Sequence, residues 1–162
     1  MALIHLTIVT PAGGLYLYNG NAVEGIRVTG ALTINGKLTV EVEGEECTAI
    51  HVGGGLTANG DLSITASNYD ANGGNGCGIV CDDGDVVING VCDIFGDYIC
   101  ILCSNGDVAV NGNAYVRPNS YAADGAGIRA DKGSVTISNV FDFSNVAHVA
   151  LYADGDILIG GP

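Results

Sequence analysis

The sequence predicts an all-β parallel β-solenoid with three short strands per coil and about five to six coils. Three observations predict it. One motif recurs every 22 to 30 residues. Apolar residues alternate within each copy, which reads as strand with one face buried. An Asn-Gly dipeptide returns at one fixed place in the motif, where its tolerance of left-handed backbone angles suits a sharp corner.

The clearest copy is Gly84–Ile94, Gly-Asp-Val-Val-Ile-Asn-Gly-Val-Cys-Asp-Ile. Equivalent copies fall at Ala31–Val40, Gly55–Ile64 and Asp107–Val116, with a degenerate one at Ser134–Phe143 and a half-copy at Asp156–Gly161. Aligning Asn35, Asn59, Asn89, Asn111, Ser138 and Gly160 gives spacings of 24, 30, 22, 27 and 22 residues. Periods of this size mark repeats in which each unit is one coil. The first strand of each copy carries an inward pair such as Val86/Ile88, and the second carries one such as Cys92/Ile94. A third pair precedes each copy, as in Ile79/Cys81 and Ile101/Cys103. Like residues then stack on like at the strand spacing of about 4.8 Å. The stacked Asn side chains are expected to hydrogen-bond along the axis as an amide ladder.

Taken in order, residues 1–24 stand apart. Two alternating apolar stretches around a Pro11–Gly14 turn read as N-terminal cap strands over an otherwise open edge. Met1–Thr10 has neither the basic start nor the cleavage site of a signal peptide. Residues 25–162 form the coils. Insertions collect at a single corner, at Glu43–Thr48, Ser67–Cys77, Gly96–Cys100, Pro118–Ala126 and Asn145–His148. The last copy stops part-way round a coil, which favours a piece of a longer protein over an end covered by another subunit.

Composition bounds the function. Eighteen acidic residues against five basic ones give a formal charge of −13. That surface repels phosphate backbones and excludes nucleic acid as a partner. No apolar run reaches 18 residues, so no membrane insertion is expected. The 48% of apolar residues argues against disorder despite 26 glycines.

Candidate sites follow from the corners. Two insertions carry similar material, with Tyr69, Asp70 and Asn72 on one and Tyr121 and Asp124 on the other. A Tyr ring stacks on a sugar face while Asn and Asp bond its hydroxyls, so these five are the ligand-binding candidates. Asp82, Asp83, Asp85 and Asp107 gather at a Gly-Asp corner and are the candidate ligands for calcium. Bonding the backbone N–H groups of their own turn is the commoner role of Asp at such a corner and the stronger reading of the two. Val80, Val87, Val91, Phe95, Leu102 and Tyr115 are apolar at outward positions and are the candidate interface for a homo-oligomer or flanking domain. Among the six cysteines, Cys77–Cys100 and Cys81–Cys103 are each placed for a disulfide between stacked coils. The lone Cys100-Ile-Leu-Cys103 motif is weak evidence for zinc or redox chemistry. No catalytic residue is nominated, because no nucleophile falls beside His5, His51 or His148.

The repeat Gly25–Val40, Gly-Ile-Arg-Val-Thr-Gly-Ala-Leu-Thr-Ile-Asn-Gly-Lys-Leu-Thr-Val, resembles the right-handed parallel β-helix repeats of bacterial cell-surface proteins, within the wider pectate-lyase-like and polysaccharide-binding architecture. The resemblance covers about residues 25–161 and rests on core and corner positions. It implies right-handed coils, an extracellular or cell-surface setting and a non-enzymatic module that binds polysaccharide. Two alternatives stand beside it. One is a structural or self-assembly module of a larger surface protein or oligomer. The other is a diverged polysaccharide lyase or hydrolase fragment, although the acid cluster and basic residue that such lyases use cannot be assigned here.

Overall fold

The computed structural model describes residues 5–21, 23–67, 76–119, 125–144 and 149–160. Among them every regular element is a strand. The chain winds through β1 (Leu6–Val9), β2 (Leu15–Gly20) and β3 (Glu24–Val28), then β4 (Leu32–Asn35), β5 (Leu38–Glu43) and β6 (Thr48–Val52). The third coil is β7 (Leu56–Ala58), β8 (Leu62–Ser67) and β9 (Cys77–Cys81), and the fourth is β10 (Val86–Ile88), β11 (Cys92–Gly96) and β12 (Ile99–Cys103). β13 (Val108–Val110), β14 (Ala114–Pro118) and β15 (Ala126–Ala130) make the fifth. β16 (Val135–Ile137), β17 (Phe141–Phe143) and β18 (Val149–Ala153) make the sixth, and β19 (Ile157–Ile159) opens a seventh.

Every third strand pairs in parallel, giving three sheets. Sheet 1 runs β1-β4-β7-β10-β13-β16-β19, sheet 2 runs β2-β5-β8-β11-β14-β17, and sheet 3 runs β3-β6-β9-β12-β15-β18. Parallel sheets usually have both faces covered and read as unbroken apolar runs. Here each sheet buries one face against the other two and shows the other to solvent, so its strands alternate as a half-buried strand does. Sheet 1 strands β7, β10, β13 and β16 are buried at their first and last residues and half-buried between. A slip of one residue would turn every apolar side chain outward, so this alternation fixes the register.

The predicted ladders are present. Ile50, Ile79, Ile101 and Ile128 are consecutive register partners in sheet 3, and each is fully buried. Leu32, Leu56, Val86, Val108 and Val135 stack the same way in sheet 1. The segment expected as cap strands lies over the second coil as a coil in its own right. Leu6 and Ile8 pair with Leu32 and Ile34, and Leu15 and Leu17 with Leu38 and Val40.

Two corners explain why the coils stack in register. After sheet 1, Asn59 Nδ2 donates to Asn35 Oδ1 (2.8 Å), Asn89 to Asn59 (2.9 Å) and Asn111 to Asn89 (2.8 Å). Ser138 ends this amide ladder, its hydroxyl donating to Asn111 Oδ1 at 3.4 Å. After sheet 3, carboxylates cap the backbone of the next coil. Asp85 Oδ1 accepts from the Asp107 N–H (2.9 Å), Asp107 Oδ1 from the Ser134 N–H (2.8 Å) and Ser134 Oγ from the Asp156 N–H (3.1 Å). Gly84 turns this corner at φ +99°, a conformation that disfavours any side chain.

The five insertions all lie between sheet 2 and sheet 3, as their spacing predicted.

Candidate functional site

The outward face of sheet 2 is the richest in chemistry. Alternation points Tyr16 and Tyr18 of β2 away from the core, and both are 57% exposed. In register with them along the sheet lie Thr39 and Glu41, then Ser63 and Thr65, Asp93 and Phe95, and Tyr115 and Arg117. The tyrosines lean along the axis onto carboxylates of the next coil. Tyr16 Oη donates to Glu41 Oε2 at 2.6 Å and Tyr18 Oη to Glu43 Oε2 at 3.2 Å. The bond to Glu41 raises the Tyr16 phenol above its ordinary range, since the phenolate would face that carboxylate. Further along, the Arg117 guanidinium pairs with Asp93. The face therefore offers aromatic rings, carboxylates, hydroxyls and one guanidinium, all on one sheet with one row per coil.

Sheet 3 carries a second polar cluster. His51 is the register neighbour of Arg27 below and Val80 above. Its Nδ1 lies 2.9 Å from Glu24 Oε1, and its Nε2 lies 3.1 Å from Asp82 Oδ2. Arg27 pairs with the same Glu24 oxygen. Burial pulls the Glu24 carboxyl upward, but the His51 hydrogen bond and the Arg27 charge outweigh it and hold the group below the usual carboxylate range. A cavity of about 190 Å³ opens beside the cluster, lined by Arg27, Val28, Thr29, His51, Gly53 and Asp82. Both ring nitrogens are engaged with carboxylates, so this geometry leaves His51 no nitrogen to activate a nucleophile.

Tyr69, Asp70, Asn72, Tyr121 and Asp124 lie outside the described residues. Their insertions leave β8 at Ser67 and β14 at Pro118, from the edge of the sheet 2 face. The four candidate calcium ligands are placed apart. Asp82 turns to His51, Asp83 accepts from Asn105 Nδ2 at 2.6 Å, and Asp85 and Asp107 cap backbone N–H groups. Among the described residues no three His, Cys, Asp or Glu side chains converge as a metal site requires.

The six candidate interface residues do not share a face, which corrects the expectation of one apolar patch. Val80 and Leu102 are neighbours on sheet 3, Val87 sits on sheet 1, Val91 on the following corner, and Phe95 and Tyr115 on sheet 2. Each is half-buried. Successive strands belong to different sides of a three-sided spiral, so outward residues close in sequence point in different directions.

Sequence reasoning passed over Tyr16, Tyr18, Glu41 and Glu43, and the Glu24 and Asp82 partners of His51. The first set had a readable signal: Tyr-x-Tyr is followed 25 residues later by Glu-x-Glu, one coil on. The second lay in diagonal contacts, off the register row that held His51.

Fold and face together define a three-sheet parallel β-solenoid with an open polar and aromatic side. No family model, no curated protein and no solved structure matches the chain. No helix is long and apolar enough to cross a membrane among the described residues.

Proposed function

We propose that this chain is a non-enzymatic, cell-surface module that binds an uncharged polysaccharide along the outward face of sheet 2 and its adjoining corner. The observation that carries this reading is the placement of tyrosine rings against carboxylates of the next coil on one outward sheet face. A sugar ring stacks its C–H face on an aromatic ring while its hydroxyls bond carboxylate and hydroxyl oxygens. A linear glycan laid along the axis meets one row of such groups per coil. The charge of −13 disfavours polyanionic polymers, which selects uncharged ones. The insertions bearing Tyr69 and Tyr121 leave β8 at Ser67 and β14 at Pro118, at the edge of the same face, and their tyrosines are candidates for the same role.

Affinity electrophoresis through gels containing neutral polysaccharides tests the reading. Retardation by at least one polymer is expected. Binding should weaken about tenfold or more when Tyr16→Ala is combined with Tyr18→Ala, the effect of losing stacking worth ~1.4 kcal/mol. Tyr69→Ala combined with Tyr121→Ala tests the corner separately. No retardation by any neutral polymer, or full binding by both double variants, overturns the proposal.

A second reading, a self-assembly module that pairs with another copy of the chain, has the apolar strand β19 as its candidate contact. Its Ile157, Leu158 and Ile159 are all exposed, Leu158 at 61%. A monomer mass that stays constant in light scattering up to high concentration removes it.

A further inference from the structure

Two buried thiols meet at the corner between sheets 3 and 1. Cys81 ends β9 and Cys103 ends β12, and the two are register partners on neighbouring parallel strands. Both are fully buried and face the same acceptor. Cys81 Sγ lies 3.2 Å from the Gly84 carbonyl oxygen and Cys103 Sγ lies 3.3 Å from it. Partners across a parallel ladder sit about 4.8 Å apart, inside the Cα separation of roughly 4.4–6.8 Å that a disulfide spans.

The other sequence-level pair does not share this geometry. Cys77 is in register with Ile99, so Cys100 is displaced by one residue along the strand. Cys100 is buried, with its thiol on the Ile94 carbonyl at 3.4 Å, whereas Cys77 is half-buried.

We propose that Cys81 and Cys103 are a redox pair that closes into a disulfide between the third and fourth coils. The oxidant is a small-molecule disulfide such as glutathione disulfide. The Cys103 thiolate attacks one of its sulfurs and releases one thiolate of glutathione. The Cys81 thiolate then attacks the Cys103 sulfur of the mixed disulfide and releases the second. Two protein thiols are oxidised, one small disulfide is reduced to two thiols, and the S–H protons pass to the released thiolates. The order follows from the pair's own electrostatics. The neighbouring Cys81 side chain holds Cys103 below the ordinary thiol range, while Cys103 and burial push Cys81 up. Burial of both sulfurs means exchange waits on opening of the Asp82–Asp85 corner, so a folding chain closes the pair faster than a folded one. Once made, the bond adds a covalent tie between adjacent coils at a corner otherwise held by the Asp85 cap, the Asn105–Asp83 bond and backbone hydrogen bonds.

The test counts thiols. The folded protein is held with excess glutathione disulfide, and a second sample is refolded in it. Both are denatured, alkylated and weighed, and the bridged peptides are mapped. The refolded sample is expected to take up two fewer alkyl groups than dithiothreitol-treated protein and to yield a peptide joining Cys81 to Cys103. Its melting temperature should exceed that of the reduced form by roughly 5–10 °C. Cys81→Ser should abolish both differences, while Cys77→Ser combined with Cys100→Ser should leave them. Six alkylated cysteines in both samples, a bridge elsewhere, or equal melting temperatures with and without dithiothreitol overturns the proposal.

Discussion

The corner after sheet 1 and the corner after sheet 2 divide the labour of this fold. From the second coil to the fifth, the first has nearly constant length, because Asn35, Asn59, Asn89 and Asn111 each donate to or accept from the next. An amide has both a donor and an acceptor, so a column of identical amides satisfies itself indefinitely. Any added residue would lift one Asn out of the column. Among the described residues the corner after sheet 2 shows no such column, and its length ranges from two residues between β11 and β12 to nine between β8 and β9. Closing a longer loop costs only about 0.6 kcal/mol per doubling of its length, so variation there is cheap. Rigidity at one corner leaves the opposite one free to vary, and the candidate binding surface lies along that variable edge.

The largest expected effect comes from inserting the same two residues at each corner. Placed between Gly90 and Val91, they displace Asn89 from both amide neighbours and Val91 N–H from Asp61 Oδ1. With the flanking ladder bonds disturbed as well, the loss should reach roughly 3–4 kcal/mol at about 1 kcal/mol per hydrogen bond. Placed between the exposed Glu45 and Glu46, the same insertion should cost under about 1 kcal/mol. Urea denaturation of the two variants checks the contrast. Equal losses would mean that the amide column does not set corner length.

A smaller step removes one rung. Asn89→Ala deletes a donor to Asn59 and an acceptor for Asn111, at a site where water replaces both, so the cost should be about 1–2 kcal/mol. Asn89→Asp keeps the acceptor for Asn111 but offers Asn59 no donor at neutral pH, and should fall between wild type and Ala. Melting curves at pH 7 distinguish the three. An Asp variant worse than Ala would show that repulsion between oxygens, not the missing bond, dominates the column.

How far these features could be read from the chain depended on whether they were local. Inward alternation and Asn-Gly spacing are properties of single copies, so the ladders from Leu32 onward were legible. The coil formed by β1 to β3 was masked because its corner carries Thr10 and the Pro11–Gly14 turn where later coils have Asn-Gly. Its Leu6 and Ile8 still match Leu32 and Ile34 in pattern. The three-sided cross-section defeated the interface expectation, since linear closeness of Val87, Val91 and Phe95 says nothing about shared direction. Position two of the sheet 3 strands was legible but unread. Gly25, Gly78 and Gly127 alternate there with Ala49, Cys100 and Ala150, and a Cβ on any of the three glycines would crowd the next coil's carbonyl and the core of sheet 2. The sheet 2 face needed pairing of side chains across coils, which follows only once register is known.

The smallest expected effect separates the corners by pH. The amide column is neutral and does not titrate, whereas the tie across the first coils of sheet 3 runs through Glu24, Arg27, His51 and Asp82. Glu24 is held below its ordinary value of 4.5 in the folded chain. The unfolded chain therefore binds more protons in that window, and stability rises with pH through it. The contribution is fully present above about pH 4.5 and is lost as pH falls through the folded-state value. At a partly exposed site the effect should be about 1 °C in melting temperature. Comparing the wild type with Glu24→Gln from pH 6 down to pH 3 isolates it, because other carboxylates titrate in both. The two curves should converge as Glu24 protonates. Asn89→Ala should lie below wild type by the same margin at every pH, and a gap that narrowed with acid there would mean that the column is coupled to a carboxylate after all.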